Sequence, residues 1–513
     1  MKLGRTRSVA LVGLDGALVD VEADLVQGLP QFMISGLPDA ACKQSPDRIK
    51  AAAANSGMSI PNRRLTVNLS PASMPKAGSG FDLPIAIAVL AAAGLVPAEV
   101  VAPMVHIGEL GLDGSVRPVR GVLPAVLAAA RLGVEAVVVP ADNAAEAALV
   151  PGMTVLPARS LAALVGRYRL LGAGGVPEDD PVVAAVPDAD SGAGPDLRDV
   201  VGQDEARLAL EIAAAGGHHL LMVGPPGAGK TMLAERLPGL LPALEPGHAL
   251  EVTAIQSLLG VLPRSGALVS RPPFVAPHHG ASMAAVIGGG SGFIRPGAIS
   301  RAHRGVLFLD EAPEFRQSVL QALRQPAESG EVTIARASGV VRYPARFQLV
   351  LAANPCPCGR GFGKGADCSC SPRARRDYMG KLVGPLLDRV DLQLQVHAVS
   401  RAALAQPSGE GTDVVAERVL RARAIQADRL AGAPWQVNAE VPGPVMRRGP
   451  FRLPREATTD LDRAVERGAL TLRGYDRVLK LAWTVRDLDG GGTPTRSDVG
   501  VALTLRARSA VAA

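Results

Sequence analysis

The most restrictive feature of the sequence is the octapeptide GPPGAGKT at residues 224–231. It follows the apolar run HLLMVG, which is typical of a buried strand, and precedes TMLAERL, which is typical of a helix. Glycines in such a turn let backbone N–H groups approach phosphate oxygens, and the helix N-terminus adds a favourable dipole. The sequence therefore predicts a phosphate-binding loop in a parallel α/β domain.

Two side chains of this loop have distinct predicted roles. We expect Lys230 to reach the β- and γ-phosphates of ATP, and the Thr231 hydroxyl to bind Mg²⁺. The residues predicted to bind the nucleotide are Gly224, Pro225, Pro226, Gly227, Ala228, Gly229, Lys230 and Thr231. A chance glycine-rich turn is the weaker interpretation, because the flanking strand and helix patterns are both present.

Polar residues end two further apolar runs. GVLFLD is followed by Glu311 and ends in Asp310, and FQLVLAAN ends in Asn354. A carboxylate at such a strand end can hold Mg²⁺, and a second can orient and deprotonate the attacking water. We assign Asp310 to the metal and Glu311 to the water, and expect Asn354 to contact the γ-phosphate. The alternative is that the acidic pair forms a solvated turn.

Two features allow more than one interpretation. Arg389 lies between two aspartates in LLDRVDL. An arginine at a subunit boundary can contact a neighbour's nucleotide, which is worth ~10³ to 10⁵ in rate in other systems. An intramolecular Asp–Arg pair explains the pattern equally well. The adjacent His278 and His279 suggest a metal or DNA role, but in a Pro/Gly-rich loop we expect them to be structural.

The chain divides at a segment rich in Gly, Pro and Asp. Residues 171–199 show no periodicity and carry seven acidic residues against one Arg, which is typical of a flexible linker. Before it, β-rich runs alternate with Ala-rich helical runs, and after about Val414 the pattern is helical. We divide the chain into a first α/β or α+β domain (1–170), an acidic linker (171–197), an α/β core (198–412) and a helical domain (413–513).

The net charge is modest but concentrated. The protein has 54 Lys and Arg against 48 Asp and Glu, a net +6, and residues 342–389 alone hold nine basic and three acidic residues. Such a cluster suits salt-dependent contacts to DNA phosphates, although a solvated basic surface has the same composition. Aromatic residues are only 3% of the chain, which argues against a base-stacking binder of the RRM or OB type.

Four of the five cysteines form a CxC-x9-CxC pattern in a Gly/Arg-rich segment, at Cys356, Cys358, Cys368 and Cys370. Four thiolates in a short loop can close a tetrahedral Zn²⁺ site, and the metal then replaces the core that the loop lacks. The CxC spacing is less common than CxxC, so redox-active or simply reduced cysteines are the alternatives. Cys42 lies alone in an apolar run and is expected in a core.

The sequence predicts a cytoplasmic protein that does not enter a membrane. Its apolar start is interrupted by Asp15, and no small-residue cleavage site is evident. The longest apolar stretch, LPIAIAVLAAAGLVPA, is too short to span a bilayer and contains two prolines. The clustered cysteines do not resemble a secreted disulfide framework.

These motifs together resemble the magnesium chelatase and minichromosome maintenance clade of AAA+ ATPases, from about Asp196 to Leu505. GPPGAGKT resembles its Walker A, LFLDEAPEF its Walker B, AANP its sensor 1 and LLDRVDL its arginine-finger box. LTLRGYDRVLKLAWTVRDL resembles the lid helix with sensor 2, which falls on Arg473. EVTIARASGVVRYPARF resembles the hairpin before sensor 1, whose Arg336 and Arg342 would face a central pore and contact DNA. The resemblance implies a P-loop AAA+ core with a helical lid.

The first 165 residues are similar to the Lon-protease-like domain of the YifB/ComM family, through SGLPDAACKQSPDRIKAAAANSG, VNLSPASMPKAGSGFDLPIAIAVLAA and GELGLDGSVRPVRGVLPAVLAA. This similarity implies an α+β, ribosomal-protein-like domain in front of the core. Proteolysis is not expected, because the nucleophile position falls on Gly80, one residue from Ser79, and the lysine position falls on Leu123. We expect a scaffold or partner-binding module instead.

The family resemblance also implies a function. Its members are taken to be homo-hexameric, ATP- and Mg²⁺-dependent motors on single-stranded or branched DNA, with helicase or branch-migration activity in recombination or natural transformation. YifB relatives carry a similar cysteine cluster, which favours Zn²⁺. The alternative is a chelatase-like ATPase that remodels a protein partner without DNA, although no metal-insertion domain is evident in the sequence.

Overall fold

The computed structural model describes residues 3–74, 76, 78–176, 194–262, 266–290, 294–336, 339–361, 368–382, 386–400, 403 and 407–507. The predicted acidic linker falls mostly on residues 177–193, which lie outside the described residues.

The N-terminal domain is built on a mixed sheet with helices packed against it. Its strands are β1 (Gly4–Val12), β2 (Asp15–Val26), β3 (Gln31–Ser35), β4 (Arg64–Ser70), β5 (Val105–His106), β6 (Glu109–Leu110), β7 (Val116–Arg117), β8 (Ala136–Pro140) and β9 (Thr154–Ala158). Its helices are α1 (Ala40–Lys43), α2 (Ser45–Asn55), α3 (Asp82–Ala92), α4 (Ala98–Val101), α5 (Val122–Arg131), α6 (Ala144–Ala147) and α7 (Leu161–Gly172).

Seven of these strands form one sheet in the order β3-β4-β2-β1-β5-β8-β9. The central strands β1, β2 and β4 pair antiparallel, and the remaining neighbours pair parallel. Residues alternate between buried and more exposed along β4, as one core-facing side requires. Helix α3 is apolar except for Asp82 at its first position, and every one of its residues is buried.

The central domain is a parallel α/β sheet. Its strands are β10 (Leu220–Val223), β11 (Phe274–Val275), β12 (Gly288–Gly289), β13 (Arg295–Pro296), β14 (Val306–Leu309), β15 (Glu331–Arg336), β16 (Gly339–Pro344), β17 (Gln348–Ala353) and β18 (Leu392–Gln395). Its helices are α8 (Asp204–Gly216), α9 (Lys230–Leu240), α10 (Pro246–Leu259), α11 (Met283–Val286), α12 (Ala298–Arg301), α13 (Gln317–Ala322), α14 (Pro326–Ser329) and α15 (Pro372–Gly380).

Five strands form the main sheet in the order β11-β14-β17-β10-β18, and all its neighbouring strands pair parallel. Every residue of β10, β14 and β17 is buried, which explains their nearly continuous apolar sequences. The separate hairpin β15–β16 pairs antiparallel, with Arg336 opposite Gly339. The predicted P-loop AAA+ fold class is thus confirmed.

The C-terminal region is helical. Its helices are α16 (Thr412–Arg429), α17 (Gly443–Met446), α18 (Arg455–Glu466), α19 (Leu472–Leu488) and α20 (Arg496–Ala507). Apolar residues of α16, α19 and α20 share one buried cluster with α8, α9 and the main sheet. None of the described helices is both long enough and apolar enough to span a membrane.

The N-terminal domain packs directly on the central domain. Helix α5 lies against α10, where the Gly121 backbone N–H donates to the Ser257 carbonyl at 3.1 Å. The turn between β1 and β2 approaches β16 so closely that a Cβ at Gly13 would lie 2.7 Å from Val341 Cγ1. The first domain therefore contacts both a helix and the hairpin of the core.

Candidate functional site

The predicted nucleotide-binding residues meet at one edge of the main sheet. GPPGAGKT follows β10, Asp310 follows β14 and Asn354 follows β17. Since these neighbouring strands are parallel, their carboxyl ends lie side by side. Three segments that are far apart in the sequence are thereby brought together.

The backbone of the loop requires its glycines. Gly227 and Gly229 have φ values of +76° and +88°, a region that glycine adopts without steric cost. Gly224 lies against β18's extension, where a Cβ would be 2.2 Å from the Val396 carbonyl oxygen. Helix α9 begins at Lys230, so its free N–H groups point into the loop, as an anion site requires.

Lys230 reaches across the loop rather than into solvent. Its Nζ donates to the carbonyls of Gly224 and Pro225 at 2.8 and 3.0 Å and to Asn354 Oδ1 at 3.1 Å. Burial lowers the pKa of Lys230, although Asp310 and Glu311 oppose that shift. An incoming phosphate would supply the negative charge that a buried ammonium favours.

Two oxygen ligands suited to Mg²⁺ lie together. Thr231 Oγ1 donates to Asp310 Oδ2 at 2.8 Å, and both are hard oxygen donors of the type that Mg²⁺ prefers beside phosphates. The predicted assignment of Mg²⁺ to Thr231 and Asp310 is therefore chemically consistent with the site. Mg²⁺ held by these two residues would supply positive charge that stabilises the negative charge developing on a phosphate.

Glu311 has a constrained position beside this pair. Its φ is +50°, which is unusual for a residue with a side chain, and its backbone N–H donates to Asp310 Oδ1 at 2.9 Å. The Glu311 carboxylate also contacts His279 in a neighbouring loop, with 3.2 Å between Glu311 Oε2 and His279 Nδ1. Glu311 is thus held in place both at its backbone N–H and at its carboxylate.

His279 is a site residue that the sequence analysis missed. It follows β11, the neighbour of β14, and its ring lies against His278 with centroids 4.1 Å apart. The expectation that this pair is merely structural overlooked the contact with Glu311. The sequence carries only a weak signal for this role of His279, namely a polar pair shortly after an apolar run. Nothing in the sequence indicates that this apolar run pairs with the strand that precedes Asp310.

Arg389 and Arg473 lie together at the edge formed by the amino ends of the parallel strands. This is the edge opposite the Walker A loop, which follows the carboxyl end of β10. Arg389 precedes β18, and it pairs with Glu328. Its neighbour Asp388 accepts a hydrogen bond from Arg473 Nη1 at 3.0 Å. Strands of four to six residues, at about 3.3 Å per residue, separate the two edges by roughly 13–20 Å. Neither arginine reaches the Walker A loop of its own chain.

These arginines line a cleft of about 1280 Å³ between the sheet and the lid helices. At its floor, Asp391 is buried and pairs with Arg477 at 2.7 Å and with His218 at 3.3 Å. Burial alone would raise the pKa of Asp391, but Arg477 and His218 outweigh it and hold that pKa well below its usual range. This ion pair fixes α19, the helix of Arg473, against the sheet edge.

The four clustered cysteines come together immediately after Asn354. Their Sγ atoms all lie within 4.8 Å of one another, which is a geometry that could hold a metal ion. Burial raises the pKa of Cys356 to about 11, whereas a hydrogen bond from the Arg360 backbone N–H lowers the pKa of Cys358 to about 6. Cys42, as expected, is buried in the core of the first domain.

Arg336 and Arg342 lie on the hairpin β15–β16, and both side chains are exposed. The hairpin packs on strand β12, where a Cβ at Gly289 would be 3.1 Å from an Arg336 guanidinium nitrogen. Arg336 lies on the hairpin face of Val332 and Ile334, whereas Arg342 lies opposite Thr333 on the other face. The hairpin therefore presents an exposed arginine on each of its two faces.

The segment around Ser79 and Gly80, which resembles the nucleophile region of Lon proteases, contains no Ser–Lys pair among the residues described there. The Ser79 hydroxyl donates to Glu109, and Lys76 Nζ donates to the Pro71 carbonyl. Leu123 is fully buried on α5, the helix that packs on α10. Ser79 and Lys76 thus have separate hydrogen-bond partners.

Three family descriptions match the chain along most of its length. "Magnesium chelatase, subunit ChlI" matches residues 196–404, "Subunit ChlI of Mg-chelatase" matches 21–143, and "Magnesium chelatase, subunit ChlI C-terminal" matches 409–506. The fold and the site together define a magnesium chelatase-like AAA+ ATPase.

Close relatives narrow the class further. An uncharacterized protein of Mycobacterium tuberculosis is 52% identical over 99% of both chains. Competence protein ComM of Haemophilus influenzae is 41% identical over 96% of this chain and 94% of its own, and YifB of Escherichia coli is 39% identical over 99% and 97%. The chain therefore belongs to the YifB/ComM family.

Proposed function

We propose that the protein hydrolyses ATP with Mg²⁺ at the edge defined by β10, β14 and β17. Thr231 and Asp310 would hold the ion, and Lys230 would bind the β- and γ-phosphates. Glu311 would take a proton from water as the water oxygen bonds to the γ-phosphorus and the bond to the bridging oxygen breaks, releasing ADP and phosphate. Asn354 would orient the phosphate and the water.

We propose further that two copies complete each site in a homo-hexameric ring. The observation that supports this is the opposite placement of Lys230 and Arg389, separated by the length of the sheet. Arg389 and Arg473 would stabilise the transition state on a neighbour's nucleotide, since they lie too far from their own. Repeating the same head-to-tail contact closes a ring when the rotation permits.

The proposed substrate is DNA, single-stranded or branched. The exposed Arg336 and Arg342 on the hairpin, and the basic residues between 342 and 389, provide contacts to phosphates rather than to bases. The similarity to a relative named as a competence protein supports a helicase or branch-migration role in natural transformation or recombination. Such a role places the protein in the cytoplasm.

We also propose that Cys356, Cys358, Cys368 and Cys370 bind one Zn²⁺. The separation of their sulfurs supports a single tetrahedral ion.

The experiment that tests this function is separation of a four-way DNA junction, comparing wild type with Lys230→Ala at several salt concentrations. We expect ATP-dependent separation by wild type alone, and binding by both proteins that weakens steeply with salt. If no DNA structure is separated or changes wild-type ATP turnover, the proposed action on DNA is wrong. Recovery of one stable protein client without DNA would then favour the chelatase-like alternative.

A further inference from the structure

The segment after β17 contacts the Walker A loop at two points. Asn354 Oδ1 accepts a hydrogen bond from Lys230 Nζ at 3.1 Å. Five residues later, Gly359 lies so close to the loop that a Cβ there would be 2.6 Å from Pro226 Cγ. The segment that carries the cysteines is therefore also a wall of the nucleotide site.

Cys356 lies between these two contacts, and its side chain is fully buried. Its Sγ is 3.4 Å from Cys358 Sγ and 3.5 Å from Cys368 Sγ. A disulfide requires about 2.05 Å. Sulfurs around a tetrahedral zinc ion, with bonds of about 2.3 Å, lie about 3.8 Å apart. The observed spacing fits one shared metal ion, and these cysteines form no disulfide in the structure.

The described part of this segment has few other buried groups to hold it in place. Within residues 355–361 and 368–371, the part described around the cluster, Cys356 is the only fully buried side chain. The Gly361 backbone N–H donates to Cys356 Sγ at 3.1 Å, as backbone groups around a bound thiolate do. Order in this segment thus depends on the sulfurs themselves.

We infer that Zn²⁺ bound by the four cysteines fixes this segment against the Walker A loop and thereby increases the affinity of the ATP site. This inference rests on the proposed ATP site, whose nucleotide affinity the bound zinc would regulate. Without the ion, nucleotide binding must also order the segment, which costs conformational entropy. Couplings of this kind change affinity by about 5- to 150-fold and are reciprocal, so nucleotide must stabilise bound zinc by the same factor.

The reciprocity can be measured on the full-length wild-type protein. We expect about one zinc per chain by elemental analysis. Calorimetry should give an ADP dissociation constant at least about fivefold lower for zinc-loaded than for zinc-depleted protein, in excess Mg²⁺. Conversely, ADP should reduce zinc transfer to a chelator that prefers Zn²⁺ over Mg²⁺. Absence of zinc, or equal ADP affinity in both forms, would overturn the inference.

A substitution at Gly359 tests the contact with Pro226 without removing any of the proposed zinc ligands. Gly359→Ala retains all four cysteines but puts a methyl group into Pro226, so we expect full zinc content with weaker ADP binding. Gly468→Ala is the matched control, because its φ of +72° resembles the +76° of Gly359 while no heavy atom lies within 4 Å. Equal ADP affinity in the two variants would contradict transmission through this contact.

These measurements use ADP and zinc and need no DNA. A protein that shows the coupling but separates no junction contradicts only the DNA motor. A protein that separates junctions but shows no coupling contradicts only the inference on zinc.

Discussion

Glu311 combines a strained backbone with a restrained side chain. A non-glycine residue at φ +50° costs of order 1–3 kcal/mol and persists only where its surroundings hold it. Asp310 holds the backbone N–H of Glu311, and His279 contacts its carboxylate. The strain is therefore located at the group that we assign to activating water.

At this scale, His279 is expected to position Glu311. We predict that His279→Ala lowers kcat for ATP about tenfold with little change in KM, because the carboxylate loses its fixed orientation but the phosphate contacts remain. His279→Gln, which retains a hydrogen-bonding group, should recover part of that loss. Steady-state ATPase assays on both variants measure this, with Glu311→Gln as a reference that binds nucleotide without hydrolysing it. A change in KM alone would contradict a positioning role.

Among the elements, the strands were the most predictable part of the fold. Continuous apolar runs ending in Asp310 or Asn354 predict buried parallel strands, because both faces of such strands are covered. The positions of Asp310 and Asn354 at the ends of these strands follow from the same pattern. The order β11-β14-β17-β10-β18 could not be derived, since pairing joins segments such as 220–223 and 392–395 that are distant in sequence. The contact of His279 and the opposite placement of Arg389 depend on that order.

The hairpin β15–β16 is the element that we expect to contact DNA. Replacing Arg336 and Arg342 with Ala should remove two phosphate contacts and reduce the slope of log affinity against log salt by about 1 for each contact on single strands or duplex. Binding to single-stranded and branched DNA, measured by fluorescence anisotropy over a salt series, checks this.

Arg131→Ala provides the matched control for the hairpin, because Arg131 is an exposed arginine on α5 of the first domain. It should leave the salt dependence unchanged. If the control and the hairpin variant have the same slope, the DNA surface lies elsewhere.

For the whole molecule, the sequence predicts a division into domains but not the contacts between them. The composition of residues 171–199 indicated a boundary, yet nothing in the local pattern indicated that α5 packs on α10 or that the β1–β2 turn meets the hairpin. Such packing depends on surface shape rather than on periodicity. Through it, the first domain contacts the element that carries Arg336 and Arg342.

The central claim is that each ATP site takes Lys230 from one copy and Arg389 from the next. Its most direct test is to mix Lys230→Ala with Arg389→Ala, each of which alone should lose ATPase activity by about 10³-fold or more. In mixed rings the first variant still offers its arginine, and the second still offers an intact Walker A loop. Random mixing in equal amounts makes roughly a quarter of the interfaces complete.

The account predicts that ATPase activity returns to roughly a quarter of the wild-type rate in this mixture. Mixing Lys230→Ala with a Lys230→Ala/Arg389→Ala double variant should restore none, because no copy then has a working loop. A mixture of the two single variants that assembles and yet stays inactive would contradict the shared site.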